Sequence, residues 1–206
     1  MAIQEVLERQ YPGRRAQLKR DILSAALACF NDKGLEPTTI EDIRVRCDTS
    51  VGNIYHHFGN KDGLIAALYF CALDDQARQR TDYVKGTASA EARVAALVHA
   101  YLDWVTAEPE LARFQFQARS AVAQGPNAAE LADRNRQRNR QVREWLADPE
   151  QLGQLASVPM ELLPSLIIGQ AESYCRAWLS GRVQSPPDRF SEPLARAAWA
   201  SIAACR

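Results

Sequence analysis

The chain has no net charge: 25 lysines and arginines balance 25 aspartates and glutamates. That balance excludes a protein holding nucleic acid by bulk charge alone, and leaves room only for a locally basic face. Long apolar runs are missing too. None approaches the roughly 20 residues a membrane span needs, and the opening MAIQEVLERQYPGRR has no secretory apolar stretch. Cysteine is sparse: five residues, at 29, 47, 71, 175 and 205, with no Cys-x-x-Cys pair. No disulfide framework follows from them, and a reduced, cytoplasmic protein is expected. Gly-x-Ser-x-Gly, the Gly-rich phosphate loop, His-Glu-x-x-His and Glu-x-x-His are all absent. Two of the three histidines, His56 and His57, are adjacent. Consecutive helical residues point about 100° apart, and no Cys or acid stands at ligand spacing from them. No enzyme, metal site or cofactor is therefore expected.

What the chain has is helical periodicity. At 206 residues and 47% apolar composition it can bury a core unaided. Ile22, Leu23, Ala26, Leu27 and Phe30 form one apolar stripe, and Gly34 is a plausible stop. Thr38 or Thr39 can cap a second helix carrying Ile40 and Ile43, with Glu41 and Asp42 at its positive end. Ser50 can cap a third, through His57, and Asn60 a long fourth with Leu64, Ile65, Leu68, Tyr69, Ala72 and Leu73. Residues 39–57 thus read as helix, tight turn, helix, the size of a helix-turn-helix unit. Further helices are predicted over 88–107, from Pro109, over 126–147, 159–180 and 191–205, with a linker at 148–158. The expected fold is all-α, with about nine helices.

Between Lys19 and Leu68 the order of residues is far more specific than a generic helix-turn-helix. It runs Ile22-Leu23-x-Ala25-Ala26-Leu27-x-x-Phe30, then Gly34, Thr38-Thr39-Ile40-x-x-Ile43, Ser50-Val51-Gly52-Asn53-Ile54-Tyr55-His56-His57-Phe58 and Lys61-x-x-Leu64. This block resembles the DNA-binding domain of TetR-family transcriptional regulators. The resemblance covers about a quarter of the chain. It implies a DNA-binding domain at 1–58, a joining helix at 60–82, and a helical ligand-binding and dimerisation domain within 59–206.

The residue types suit that role. Gly52 has no side chain to hold the backbone off a duplex, Asn53 can pair with a base edge, and Val51 can touch a thymine methyl. Thr39 and Ser50 sit at helix N-termini, which suit both capping and phosphate. Tyr55, His56 and Lys61 are donors that reach backbone and set register. One departure stands out. Where the family usually has Ala, this chain has Arg44, and Cys47-Asp48-Thr49 replaces Ala-Gly-Val, so an acid occupies the turn-glycine position. Aspartate tolerates a left-handed backbone better than most residues, and Arg44 offsets its charge or adds a phosphate contact. Ahead of the first predicted helix, Arg9, Arg14, Arg15, Lys19 and Arg20 read as either a solvated terminus or an arm on the DNA.

Farther on, Arg134, Arg136, Arg138, Arg140 and Arg143 spread around a helix, as a solvated face or as an anion site in a ligand cavity. Most aromatics there read as core. Tyr101, Trp104, Phe114, Phe116, Trp145 and Tyr174, with Arg138, are the candidate pocket set. Leu162, Leu166, Ile167 and Gln170 on one helix, and Leu194, Ala198, Ser201 and Ile202 on another, are the candidate dimer face. The function expected is a ligand-responsive repressor that binds a palindromic operator as a homodimer and is released by a small-molecule effector. A helical interaction protein or small enzyme without DNA binding is the alternative.

Overall fold

The computed structural model describes residues 2–146, 158, 159 and 161–205. Among these, all regular structure is helical: α1 (Ala2–Gln10), α2 (Gln17–Lys33), α3 (Ile40–Cys47), α4 (Val51–Phe58), α5 (Lys61–Val84), α6 (Ala90–Ala107), α7 (Pro109–Gln124), α8 (Ala128–Leu146), α9 (Leu163–Leu179) and α10 (Ser191–Ala203). Two 3₁₀ turns, Arg14–Ala16 and Pro187–Phe190, complete the set. The predicted all-α class is what is found. The predicted linker at 148–158 lies, except for Val158, outside the described residues.

The helix ends follow from local chemistry. Thr39, not Thr38, caps α3: its hydroxyl accepts from Asp42 N–H while the Asp42 carboxylate accepts from Thr39 N–H, a complete capping box. Thr38 is buried and its hydroxyl donates toward the carbonyls of Cys29 and Gly34. Ser50 caps α4 through Asn53 N–H at 3.1 Å. Asp48 ends α3 in the left-handed conformation, φ 47° and ψ 52°, and donates its N–H to Arg44 O. Pro109 takes the first position of α7, where its missing N–H costs nothing. Pro126, expected inside the next helix, precedes α8, which begins at Ala128.

The described chain packs as two compact units. One comprises the residues up to Asp75 with Glu108–Asp133. The other comprises Gln76–Ala107 with the described residues from Arg134 onward. These packing units do not follow the functional division expected at 58/59. The apolar stripe of α5 explains the first difference: Leu64, Ile65, Leu68, Tyr69 and Ala72 are all buried, well past residue 58.

In the first unit Ile22, Leu23, Ala26, Leu27 and Phe30 of α2 are almost wholly buried, with Ile43 of α3, Ile54 of α4 and Leu64 of α5. Burying each such side chain stabilises the unit by about 1.5–3 kcal/mol before entropy is set against it. Helix α7 packs on α2, and Phe114 stacks on Phe30 with ring centroids 5.6 Å apart. Helix α1 was not expected from the sequence. Its Val6 and Leu7 are 1% and 0% exposed, so the segment is held in place by burial.

In the second unit α6, α9 and α10 pack on one another. Trp104, Leu97, Ile167, Ala171, Cys175, Ala195, Ala198 and Ile202 are buried there. Tyr174 donates to Ser185 O at 3.0 Å and meets Phe190 edge-on at 5.2 Å, which anchors the second 3₁₀ turn. This packing corrects three of the expected dimer residues. Ile167, Ala198 and Ile202 are 3%, 1% and 0% exposed within a single chain, so they fill its own core.

Candidate nucleic-acid interface

Helices α3 and α4 are joined by the three residues Asp48, Thr49 and Ser50. Ile43 and Ile54, both fully buried, point the two helices inward and fix which faces remain outside. On α4 those outward residues are Gly52, Asn53, Tyr55 and His56, all exposed, with Val51 and His57 half-buried. Tyr55 keeps 48% of its surface. Asn53 donates from its amide to Thr49 Oγ1 at 3.0 Å. The side chain is thereby oriented from the turn, and its carbonyl and second N–H are left for a base edge.

Charge around this pair of helices is tightly managed. Arg44 grips Glu41 through Nε and Nη2 at 2.7–3.0 Å, which lowers the Glu41 carboxyl below its usual range and raises Arg44. Lys33 donates to Asp42 at 2.6 Å. That bond first, and the Thr39 backbone and hydroxyl after it, hold the Asp42 carboxyl down at about 2. Arg46 pairs with Asp32 at 2.6 Å. Burial, then the neighbouring His56 and Lys19, push His57 down, so it is a neutral packing residue beside Phe58.

Several expected contacts change role. Lys61 donates Nζ to Glu36 O at 3.0 Å and ties the start of α5 to the loop before α3, so its amine is engaged inside the chain. Arg9 and Arg20 are not an arm. Arg9 binds Asp75 at 3.0 Å. Arg20, 4% exposed, is surrounded by Glu8 at 2.8 Å, Gln17 at 2.6 Å and the Gly13 carbonyl at 2.9 Å. Lys19 lies over the Tyr11 ring at 4.2 Å. Arg14 and Arg15, in the first 3₁₀ turn, remain exposed.

Two residues passed over in the sequence belong to this region. Val45 on α3 is 63% exposed, the most open of the large apolar side chains noted among the described residues. Its only sequence signal is that it falls off the Ile40–Ile43 stripe. Gly63 matters for the turn behind α4: a Cβ there would sit 2.0 Å from Phe58 O, so only glycine lets α5 start so close to the end of α4. Asn60 Oδ1 accepts Gly63 N–H at 2.8 Å and closes that turn.

The model of the family described as "Bacterial regulatory proteins, tetR family" matches residues 22–68, which spans α2 to the middle of α5. The N-terminal segment is a TetR-family domain. Curated relatives of the chain include the HTH-type transcriptional repressor KstR2 of Mycobacterium tuberculosis, 28% identical over 121 residues. That match covers 58% of this chain and 60% of the relative. The HTH-type transcriptional regulator BetI of Cronobacter sakazakii is 35% identical over 91 residues, 41% of this chain and 43% of the relative. The chain therefore spans about half the length of the curated relatives it matches. A TetR family transcription regulator from Marinobacter aquaeolei superposes with a TM-score of 0.76 over 94% of this chain and 97% of its own, at 20% identity. The all-α fold of the TetR family thus extends well beyond the N-terminal domain.

The expected pocket residues are divided by the fold. Phe114 and Phe116 lie on α7 in the first unit, and Phe114 is spent in the stack on Phe30. Phe114 is therefore part of the core of the first unit. Tyr101, Trp104, Arg138, Trp145 and Tyr174 fall in the second unit. Among the described residues no group of three or more His, Cys, Asp or Glu could hold a metal ion, and no helix is long and apolar enough to cross a membrane.

Proposed function

We propose that this protein is a ligand-responsive transcriptional repressor. It reads a palindromic operator as a homodimer and releases it when a small molecule binds the second unit. The observation that carries this reading is α4: an eight-residue, Ser50-capped helix whose outer face offers Gly52, Asn53, Tyr55 and His56. Val51 and Gly52 admit close approach, and Asn53, braced by Thr49, presents an amide to a base pair. Thr39 and Ser50, with Tyr55 and His56, serve the phosphates, and Arg44 adds to them from its pair with Glu41. Lys61 supports the site from behind by holding the Glu36 loop.

One short helix reads too few bases for a unique site, and a two-fold pair reads two half-sites. The second unit offers the pairing face. Leu162 is 42% exposed, Leu166 and Leu194 are half-buried, and Gln170 donates to Ser201 Oγ at 3.0 Å, which aligns the exposed edges of α9 and α10. A Cβ at Gly169 would meet nothing, so a second backbone can approach there. Release requires only that the effector favour a conformation in which the two α4 helices are wrongly spaced for successive major grooves. Helix α5, whose residues fall in both units, is one covalent connection for that change.

The test is fluorescence anisotropy with duplex DNA from upstream of the encoding gene. The wild type is expected to bind specifically and with strong salt dependence. Asn53→Ala should lose about 1–3 kcal/mol and relax preference at one or two base pairs per half-site. Unchanged affinity and unchanged sequence preference would remove Asn53, and with it α4, from base reading.

A further inference from the structure

Among the described residues, Arg80 has no counter-charge. It lies on α5 within the second unit, four residues from the buried Gln76 and four from the buried Val84, and so on the inward stripe of the helix. Its Nε is buried and makes no hydrogen bond. Two acids of α5 and α6 are committed elsewhere: Asp82 to Lys85 at 2.7 Å, and Asp103 to the Tyr83 hydroxyl at 2.7 Å. The charged group that does face Arg80 is another cation, Arg138 of α8, itself fixed by a bond from Nη2 to Asn135 Oδ1 at 2.8 Å. Burial first, and Arg138 second, push the Arg80 guanidinium down to about 10, so it is still charged at neutral pH.

A structural arginine looks different. Arg20, buried in its unit, has carbonyls, an amide and a carboxylate on its donors. A charged, half-buried guanidinium whose buried Nε is empty, beside a second guanidinium, offers a donor that an anion would complete. The fork of Nε and one Nη is the geometry that takes a carboxylate or phosphate through two parallel bonds.

We propose that Arg80, assisted by Arg138, is the anion-binding group of the effector site, receiving an organic molecule through a terminal carboxylate or phosphate. The inference deepens the effector-release reading and rests on it. It assigns the Arg138 part of the arginine run to ligand binding and adds a residue, Arg80, that the sequence alone did not single out.

The test uses the full chain and three probes of equal tail: decanoate, decyl phosphate and decanol. Binding is followed by calorimetry and by the thermal unfolding midpoint. At least one anion should bind the wild type tenfold or more tightly than decanol and raise its midpoint. The better of the two names the head group. In Arg80→Gln the gap between anion and alcohol should close, while Arg80→Lys should keep part of it. Without ligand, Arg80→Gln should unfold no earlier than the wild type, because the charge removed had no partner. The site is overturned if decanol binds as well as both anions, if Arg80→Gln keeps the anion preference, or if Arg80→Gln unfolds well before the wild type. Anion binding through Arg80 with no effect on operator affinity would keep the site and refute effector release. Operator binding without Arg80-dependent anion binding would refute the site alone.

Discussion

Arg20 in the first unit and Arg80 in the second stand in opposite situations. In the first, Arg20 is 4% exposed and closed on all sides by Glu8, Gln17 and backbone carbonyls, and Arg9, Arg44 and Arg46 each hold a carboxylate. In the second, Arg80 has an empty Nε and a like charge for company. A unit whose task is to hold one helix face steady gains from satisfying its internal donors, since a satisfied network is rigid. A unit whose partner comes and goes has reason to keep one donor set open and to accept the destabilisation until the partner arrives. The first unit also gathers apolar anchors on α2, where Ile22, Leu23, Leu27 and Phe30 are buried.

The largest expected effect comes from breaking that anchor. Phe30 is fully buried and stacked on Phe114, so Phe30→Ala should cost about 3–5 kcal/mol. All four tryptophans, Trp104, Trp145, Trp178 and Trp199, belong to the second unit. In urea, the transition seen by circular dichroism should therefore fall further than the one seen by tryptophan fluorescence. Coincident transitions would mean that the units unfold as one, and the contrast drawn between them would not extend to stability.

The first unit has a buried carboxyl of its own, and it sharpens the comparison by pH. Glu108, 9% exposed, is pushed up to about 7 by burial first and by Asp75 second, against the opposing pull of Arg9. A raised carboxyl means the folded chain binds the proton more tightly than the unfolded one. The penalty is absent below the ordinary value of 4.5, grows as pH rises, and is complete above about 7. Glu108→Gln should thus stabilise the chain by up to about 3 kcal/mol at pH 8 and by little at pH 4.5. An equal gain at both values, read from urea midpoints, would show that charge is not the cause. A proton can relieve Glu108, whereas nothing among the described residues relieves Arg80.

The smallest effect concerns the turn between α3 and α4. Asp48 holds φ at 47°, a conformation that glycine adopts without steric cost. Asp48→Gly should stabilise the chain by about 0.5–1 kcal/mol, a shift visible in the urea midpoint. It should also strengthen operator binding at low salt by removing an acid from the phosphate side. A loss of stability would show that the Asp48 side chain makes the turn better than glycine does.

Much of the first unit was readable in one dimension because its determinants are local. Ser50 and Thr39 cap within three residues, Asp48 turns the chain at its own φ, and the Ile22–Phe30 stripe repeats within one helix. Helix α1 was missed although Ile3, Val6 and Leu7 stand at helical spacing, because nine residues are too few to announce a helix that burial, not propensity, maintains. The basic residues around it stayed open between two readings for the same reason: Arg9 meets Asp75, a partner 66 residues away.

The sequence by itself determined the all-α class, the helix-turn-helix and the outward set Gly52, Asn53, Tyr55 and His56, since each follows from spacing along a single helix. Tertiary structure alone decided that Phe114 serves the core of the first unit and that Ile167, Ala198 and Ile202 are consumed inside one chain. It alone decided that Lys61 holds Glu36 and that the buried Nε of Arg80 has no partner among the described residues. Periodicity tells which face of a helix is apolar or charged. Which neighbour covers that face, or fails to, is set by contacts between residues far apart in the chain, and those leave no local pattern.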